Sequence, residues 1–418
     1  MASSLYLVVL VVGLCAPIYC ASLPSTPNRG TICPSPTKAT PSSQVSSSNT
    51  DFAFRLFRRL VLKTPGQNVV FSPVSISSAL AMLSLGARSA TKAQLLQGLG
   101  LALAGTPESA VHGAFQQLVH SLSAPRGDLD LKVGSALFIR KELRLLAEFL
   151  DSVQRLYASR VFPADLSSPS AARKRVSAYV EKVTKGKVVD LVRHLDPLTA
   201  MVLVNHIFFK AKWEKPFDPA ETNKSSSFLV DKSVTVQVPM MHQMEQLAFG
   251  LDSELNCSVL QMDYSGNALA FFILPGHGKM RQLEEALSAR TLRKWSCSLQ
   301  KRWVEVFIPK FSISASYDLE AILPEMGIQD AFDNNADFSG ITKAQFLKVS
   351  KATRKAVLEV GELGSEAAAA TETKLELRAK EGPAHTVIRF HEPFVLLIVD
   401  KVTQNILFVG KVANPTKS

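Results

Sequence analysis

Residues 364–383 read GSEAAAATETKLELRAKEGP. Taken by helical turns, the first half is a good helix former: Glu366, four alanines, then Glu372 and Lys374. Taken two residues at a time, the same segment is a two-faced strand. Ser365, Ala367, Ala369, Thr371, Thr373, Leu375 and Leu377 make one row, small or apolar throughout. Glu366, Glu372, Lys374, Glu376 and Arg378 make the other row, with Ala368 and Ala370. Side chains of a strand alternate between its faces, so this parity would bury an uncharged row and leave the charges in water. A solvated Ala-Glu-Lys helix remains the other possibility on the residues alone.

Past Gly382-Pro383 the pattern is unambiguous. HTVIRF (385–390), FVLLIVDK (394–401) and ILFVGKV (406–412) read as three strands in close succession. Upstream, KVGSALFIRK (132–141), AMVLVNHIFFKAKW (200–213), SVTVQVPMM (233–241) and WVEVFIPKFSIS (303–314) read as strands, and 257–276 as a hairpin turning at Ser265-Gly266-Asn267. Helices are expected at 109–122, 146–159, 171–186 and 280–295. FSPVSISSALAMLSLGA (71–87) adds one that is apolar nearly all round, with Ser72 as cap and Pro73 at the first position, and so should be buried. Helices dominate the first half and strands the second, with no βαβ period. That is an α+β chain, and no linker divides its ordered part.

The bulk numbers are consistent with one large domain. The chain has 418 residues, 46% hydrophobic and 20% charged, with a net charge of +11. The positive charge falls in small clusters rather than a polybasic tail, so anionic partners such as sulfated glycans enter only as a possibility. Residues 1–22 carry a short apolar run from Leu5 to Leu14 and small residues at a cleavage point, which reads as a secretory signal although its start lacks Lys or Arg. Residues 23–48 are dominated by Ser, Thr and Pro and should form a flexible tail. Order is expected from 49 to 418, opening on a helix capped by Asn49 or Thr50. Beyond the signal, Cys33, Cys257 and Cys297 make an odd number without metal-type spacing, so a disulfide scaffold is not expected and at least one thiol stays free. Asn223 and Asn256 head N-x-Ser sequons, the first in a polar loop.

Motifs for catalysis are lacking. There is no G-x-S-x-G elbow, no H-E-x-x-H, and the glycines of 98–105 and 276–279 lack the spacing of nucleotide loops. The eight histidines are scattered. No cofactor or metal is expected.

Seven segments, in order, carry a resemblance: NVVFSPVSISSALAMLSLGA (68–87), LVNHIFFKAKWEKPF (203–217), VPMM (238–241), VFIPKFSISASYDL (306–319), MGIQDAFDNNADFSGIT (326–342), KATRKAVLEVGELGSEAAAAT (351–371) and FVLLIVDKVTQNILFVGKVANP (394–415). From about residue 50 onward the chain resembles the serpins, specifically their antitrypsin-like secreted group. The resemblance implies three β-sheets, about nine helices and an exposed reactive-centre loop, here about 362–384. It also implies the mechanism that the double code of 364–383 suits. The loop stands outside as a decoy substrate and, once cleaved, enters the main sheet as an added strand.

On that resemblance Gly364, Ser365, Glu366, Ala367, Ala368, Ala369, Ala370 and Thr371 form the hinge. The scissile bond falls fourteen residues beyond Gly364, at Arg378–Ala379, with Lys374 and Lys380 as alternative cleavage points. An arginine there suits trypsin-like serine proteases, whose primary pocket is acidic. Glu362 and Lys310 match an ion pair at the top of the main sheet, with Trp213 beside it. Ser72, Ser75 and Asn205 match the polar residues where that sheet must open. Arg354 stands where a histidine is usual and Leu363 where a polar residue is common. Some relatives bind heparin on the helix that here carries Lys279, Arg281, Arg290, Arg293 and Lys294, with Lys301 and Arg302 following. The expected molecule is a secreted monomeric inhibitor and not an enzyme. A non-inhibitory carrier of a small hydrophobic hormone is the alternative.

Overall fold

The first helix starts earlier than composition indicates. Thr40 accepts from the Ser43 amide at 3.2 Å, and the Ser43 hydroxyl takes the Thr40 amide at 2.9 Å. This reciprocal capping, with Pro41 at the first turn, opens α1 (Pro41–Lys63). The expected start at Asn49 or Thr50 is therefore corrected, and so is the flexible tail over 40–48. Serines and threonines that a composition rule counts as disordering here serve as a cap and as partners: Asn49 is buried and donates to Asn405 at 2.9 Å, and Ser46 donates to the Gln404 carbonyl. The computed structural model describes residues 40–101, 106–184, 186, 195–344, 347–365 and 384–417, with 353–355 described by backbone alone. The signal segment 1–22 and the rest of the tail to 39 lie outside the described residues.

The chain continues through β1 (Val69–Phe71), α2 (Pro73–Ser84), α3 (Ser89–Gly98), α4 (Glu108–Ser123), β2 (Asp130–Arg140), α5 (Ala147–Tyr157), β3 (Arg160–Ala164) and α6 (Pro169–Val183). Then come β4 (Met201–Lys210), β5 (Asn223–Leu229), β6 (Thr235–Asp252), the hairpin β7 (Cys257–Asp263) and β8 (Ala268–Pro275), α7 (Met280–Ala286) and α8 (Ala289–Ser298). The remaining strands are β9 (Gln300–Pro309), β10 (Phe311–Asp318), β11 (Lys351–Val360), β12 (Thr386–Arg389), β13 (Phe394–Asp400) and β14 (Ile406–Val412). Every residue of α2 is buried, as its apolar surface all round requires.

The strands form two ladders. A five-stranded sheet runs β10-β11-β4-β2-β3, and a nine-stranded one runs β1-β14-β13-β8-β7-β6-β9-β12 with β5 paired to β6. The second and third sheets of the expectation are thus continuous. β6 is 18 residues long, pairing with β5 near its start and β7 near its end, while β9 accompanies its middle. The run 303–314, expected as one strand, is two strands in different sheets. Lys310 is the corner: Pro309 ends β9, and Phe311 opens β10 against Val360.

Two further expectations are corrected. The basic helix at 280–295 is two helices, because Ser288 turns its hydroxyl onto the Thr291 amide and caps a new one. Asn223 opens β5 instead of lying in a polar loop, with its side chain exposed. Asn256 is also exposed, at φ +49° just before β7. Cys297 is disulfide-bonded, while Cys257 is free and buried, its thiol pushed up to about 12 by burial and then by Asp252. No helix among the described residues is long and apolar enough to cross a membrane.

Candidate functional site: a gap in the five-stranded sheet

At the centre of the five-stranded sheet β11 and β4 run parallel but pair over residues 351–354 and 202–205 only. Above that point neither strand pairs with the other. β11 continues to Val360 against β10, and β4 to Lys210 against β2. The sheet is zipped at its lower end and open over six residues of β11 and five of β4. An opening between parallel strands is the place where one more strand, antiparallel to both, completes two ladders at once.

The chain that leaves β11 turns over the top of this opening. Gly361 and Gly364 bridge each other, Gly364 bridges Lys212, and the Ser365 amide donates to the Ala211 carbonyl at 2.8 Å. Gly364 has φ +136°, a region that penalises any side chain, and a Cβ there would collide with the Ala211 carbonyl oxygen. Ser365 is 5% exposed, and its hydroxyl donates to the buried Tyr264 hydroxyl at 3.0 Å. Ser365, the first residue of the uncharged row read from the sequence, is thus buried at the top of the opening. Glu366, Ala367, Ala368, Ala369, Ala370 and Thr371 lie outside the described residues, as do Lys374, Arg378, Ala379 and Lys380.

Around the turn the sequence-identified residues meet. Trp213 is buried and stacked on Tyr264, with ring centroids 4.1 Å apart, and its indole N–H donates to the Gly361 carbonyl at 2.9 Å. Its backbone amide donates to the Leu363 carbonyl at 2.9 Å. Lys310, from the corner between the two sheets, pairs with Glu362 at 2.9 Å, and Thr222 donates to the same carboxylate. Burial raises the Glu362 carboxyl, but the Lys310 hydrogen bond and charge outweigh it and hold the group below its ordinary range.

At the lower end, where the zip closes, Ser72 caps α2 and Ser75 reaches β4. The Ser75 hydroxyl bonds the Asn205 side-chain oxygen and the His206 carbonyl, and the Asn205 amide donates back to the Ser75 carbonyl. All three side chains are buried, so this is a satisfied polar knot within an apolar core. Arg354 is the register partner of both Asn205 and Tyr317; its side chain lies outside the described residues.

The basic residues separate in space. Arg281 pairs with Glu285 on α7, and Lys294 is held by Asp252 and Glu254. Lys279, Arg290, Arg293, Lys301 and Arg302 are exposed, the first just before α7, the next two on α8 and the last two at the start of β9.

Two residues of the site escaped the sequence reading. Tyr264 sits at the hairpin turn, where a tyrosine signals little until β4 and the hinge are brought to it. His206 adjoins Asn205 but faces the other side of β4, beneath α6, edge-on to Tyr179. Alternation along β4 was the available signal for it.

The family model described as "Serpin (serine protease inhibitor)" matches residues 47–415. Human Serpin A9 is 65% identical over 418 residues, all of both chains, and human thyroxine-binding globulin is 52% identical over the same span. The crystal structure of human thyroxine-binding globulin complexed with its hormone superposes at a TM-score of 0.86 with 53% identity, covering 90% of this chain and all of that one. Fold, motif order and full-length similarity agree, and the chain belongs to the serpin family.

Proposed function

We propose that this serpin inhibits trypsin-like serine proteases as a suicide substrate cleaved at Arg378–Ala379. Serpins are inhibitors or carriers, not enzymes. The observation that favours inhibition is the open sheet with its entrance already engaged: β11 and β4 unpaired above 354 and 205, and Ser365 seated at the top. In this mechanism the protease serine attacks the Arg378 carbonyl and Ala379 leaves as the new amino terminus. The freed segment then adds to the gap as a strand, small residues inward, carrying the acylated protease with it. If insertion outruns deacylation the protease is trapped; if not, the inhibitor is merely cut. The uncharged inserting row and its alanines keep that step fast.

Incubation with trypsin tests this. An SDS-resistant complex, a released peptide starting at Ala379, and a higher melting temperature of the cleaved protein are expected. Clean cleavage with neither complex nor thermal gain would overturn the proposal. The carrier reading is supported by the 52% identity to thyroxine-binding globulin, and hormone binding by equilibrium dialysis discriminates it. The apolar segment at 1–22 supports export as a secreted protein. Asn223 and Asn256, both exposed, are offered as glycan sites.

A further inference from the structure

A cavity of about 470 Å³ opens where β5, β6, β9 and β12 lie side by side in the nine-stranded sheet. Its volume suits a small ligand, whose sites run on the order of 300–1,000 Å³. Phe307 of β9 is in register with His242 on β6 and with Arg389 on β12, so the three side chains share one face. The imidazole stacks 4.6 Å from the Phe307 ring, and the guanidinium lies 3.7 Å over it. Met240 extends this apolar part, β5 supplies Ser225, Ser226 and Ser227, and the chain beyond β12 supplies His391.

The polar groups here are mixed, and several are uncommitted. His242 is fully used, with Nδ1 at 2.8 Å from Glu221 and Nε2 at 3.1 Å from Glu305. The Ser226 hydroxyl, the Arg389 guanidinium and His391 Nε2 have no hydrogen-bond partner among the described residues. Arg389 and Glu221 bring opposite charges to the same cavity, so an ion of either sign gains little there. Donors and acceptors without a net charge fit a ligand dense in hydroxyl and amide groups, which is a sugar.

The chain also carries the attachment point for one. Asn223 lines the cavity, is exposed and heads the sequon Asn223-Lys224-Ser225. Its Oδ1 accepts from the Ser225 amide at 3.1 Å, and its Nδ2 has no partner among the described residues. The β5–β6 register shifts between Asn223 and Ser226, which lifts the sequon out of the regular ladder. Asn256 is placed differently. Its side-chain amide lies over Gly276, where an added Cβ would meet Oδ1 at 2.9 Å and Nδ2 at 3.0 Å, and the next residue, Cys257, is buried.

We propose that Asn223 carries an N-linked glycan whose first sugars lie in this cavity and bridge β5 to the Arg389–His391 segment. This rests on the export and the glycan site proposed above. In the attachment step Asn223 Nδ2 displaces a lipid-linked diphosphate from C1 of N-acetylglucosamine. The N–C1 bond forms, the C1–O bond breaks, the amide loses a proton and the diphosphate leaves. Once the chain folds, the sugar is a tethered ligand. A short tether gives an effective concentration of about millimolar, so a few hydrogen bonds to Arg389 and Ser226 suffice to hold it.

The test uses full-length protein secreted from mammalian cells. Glycopeptide mass spectrometry reads occupancy at Asn223, and release of its glycan from the folded protein by peptide N-glycosidase F reads the contact. Asn223 is expected to be occupied. Arg389→Ala and Ser226→Ala should each release the glycan roughly three- to tenfold faster than wild type, the scale of one hydrogen bond. Ser226→Ala, a small change at the sheet surface, decides the matter should Arg389→Ala fold poorly. Release from both variants at the wild-type rate would overturn the seating in the cavity and leave the glycan itself standing. An unmodified Asn223 would overturn the glycan reading and the seating together.

Discussion

His206 shows how a single residue can set the acid limit of the fold. Its ring lies over Gly134, where a Cβ would come within 2.7 Å of it, and its Nδ1 is buried with no hydrogen-bond partner among the described residues. Burial lowers it from the ordinary 6.5 to about 4. The unfolded chain therefore binds a proton that the folded one refuses between those values, and stability rises with pH across that window. From pH 6.5 down to 4 this one site should cost on the order of 3 kcal/mol. His206→Phe keeps an aromatic over Gly134 and removes the titration. Urea denaturation against pH should show a shallower acid limb for the variant, and identical limbs would disprove the assignment. Legibility at this scale was uneven. Lys310, Glu362, Trp213, Ser75 and Asn205 could be placed because each sits in a distinctive local motif. His206 and Tyr264 could not, because their surroundings come from segments far away in the chain.

The elements divide in the same way. α2, α4, α5 and the hairpin β7–β8 follow their patterns: α2 is capped by Ser72 and apolar all round, α4 and α5 each bury one apolar face, and the hairpin turns at Ser265-Gly266-Asn267. The misjudged elements lie where a local signal competes with a tertiary one. α1 extends to Pro41 because Thr40 and Ser43 cap it and Ser46 and Asn49 find partners in the β13–β14 turn, and 303–314 breaks at Lys310 because two sheets meet there. The hinge turn Gly361–Gly364 is the element on which the site depends. Gly364→Ala places a methyl group against the Ala211 carbonyl at a positive φ, so Ser365 should leave its seat and the Trp213 indole lose the Gly361 carbonyl. Altered tryptophan emission and a higher stoichiometry of trypsin inhibition are the expected outcomes; an unchanged value for both would show that the docking is incidental.

Across the whole molecule the net charge of +11 sets a general attraction for polyanions. Lys294 and Arg281 are already engaged by neighbouring acids, which leaves Lys279, Arg290, Arg293, Lys301 and Arg302 as the exposed set. Retention on heparin beyond physiological salt is expected if they act together, and neutralising Arg290, Arg293 and Lys301 should bring elution down; elution at or below that salt in the parent protein would refute a specific site. The α+β class could be read from the order of strands and helices. The continuity of the nine-stranded sheet could not, because it depends on how β6 and β9 are shared.

The pairing of β1 with β14 has a consequence for how the chain is made. Val69, Val70 and Phe71 find their ladder partners at Lys411, Gly410 and Val409, and Asn49 finds its partner at Asn405. A ribosome delivers the first members of these pairs more than three hundred residues before the second. β1 must wait for its ladder, and α1 for its Asn405 contact, until the chain has been made as far as β14. This side of the core therefore closes through contacts of very large sequence separation and late in folding.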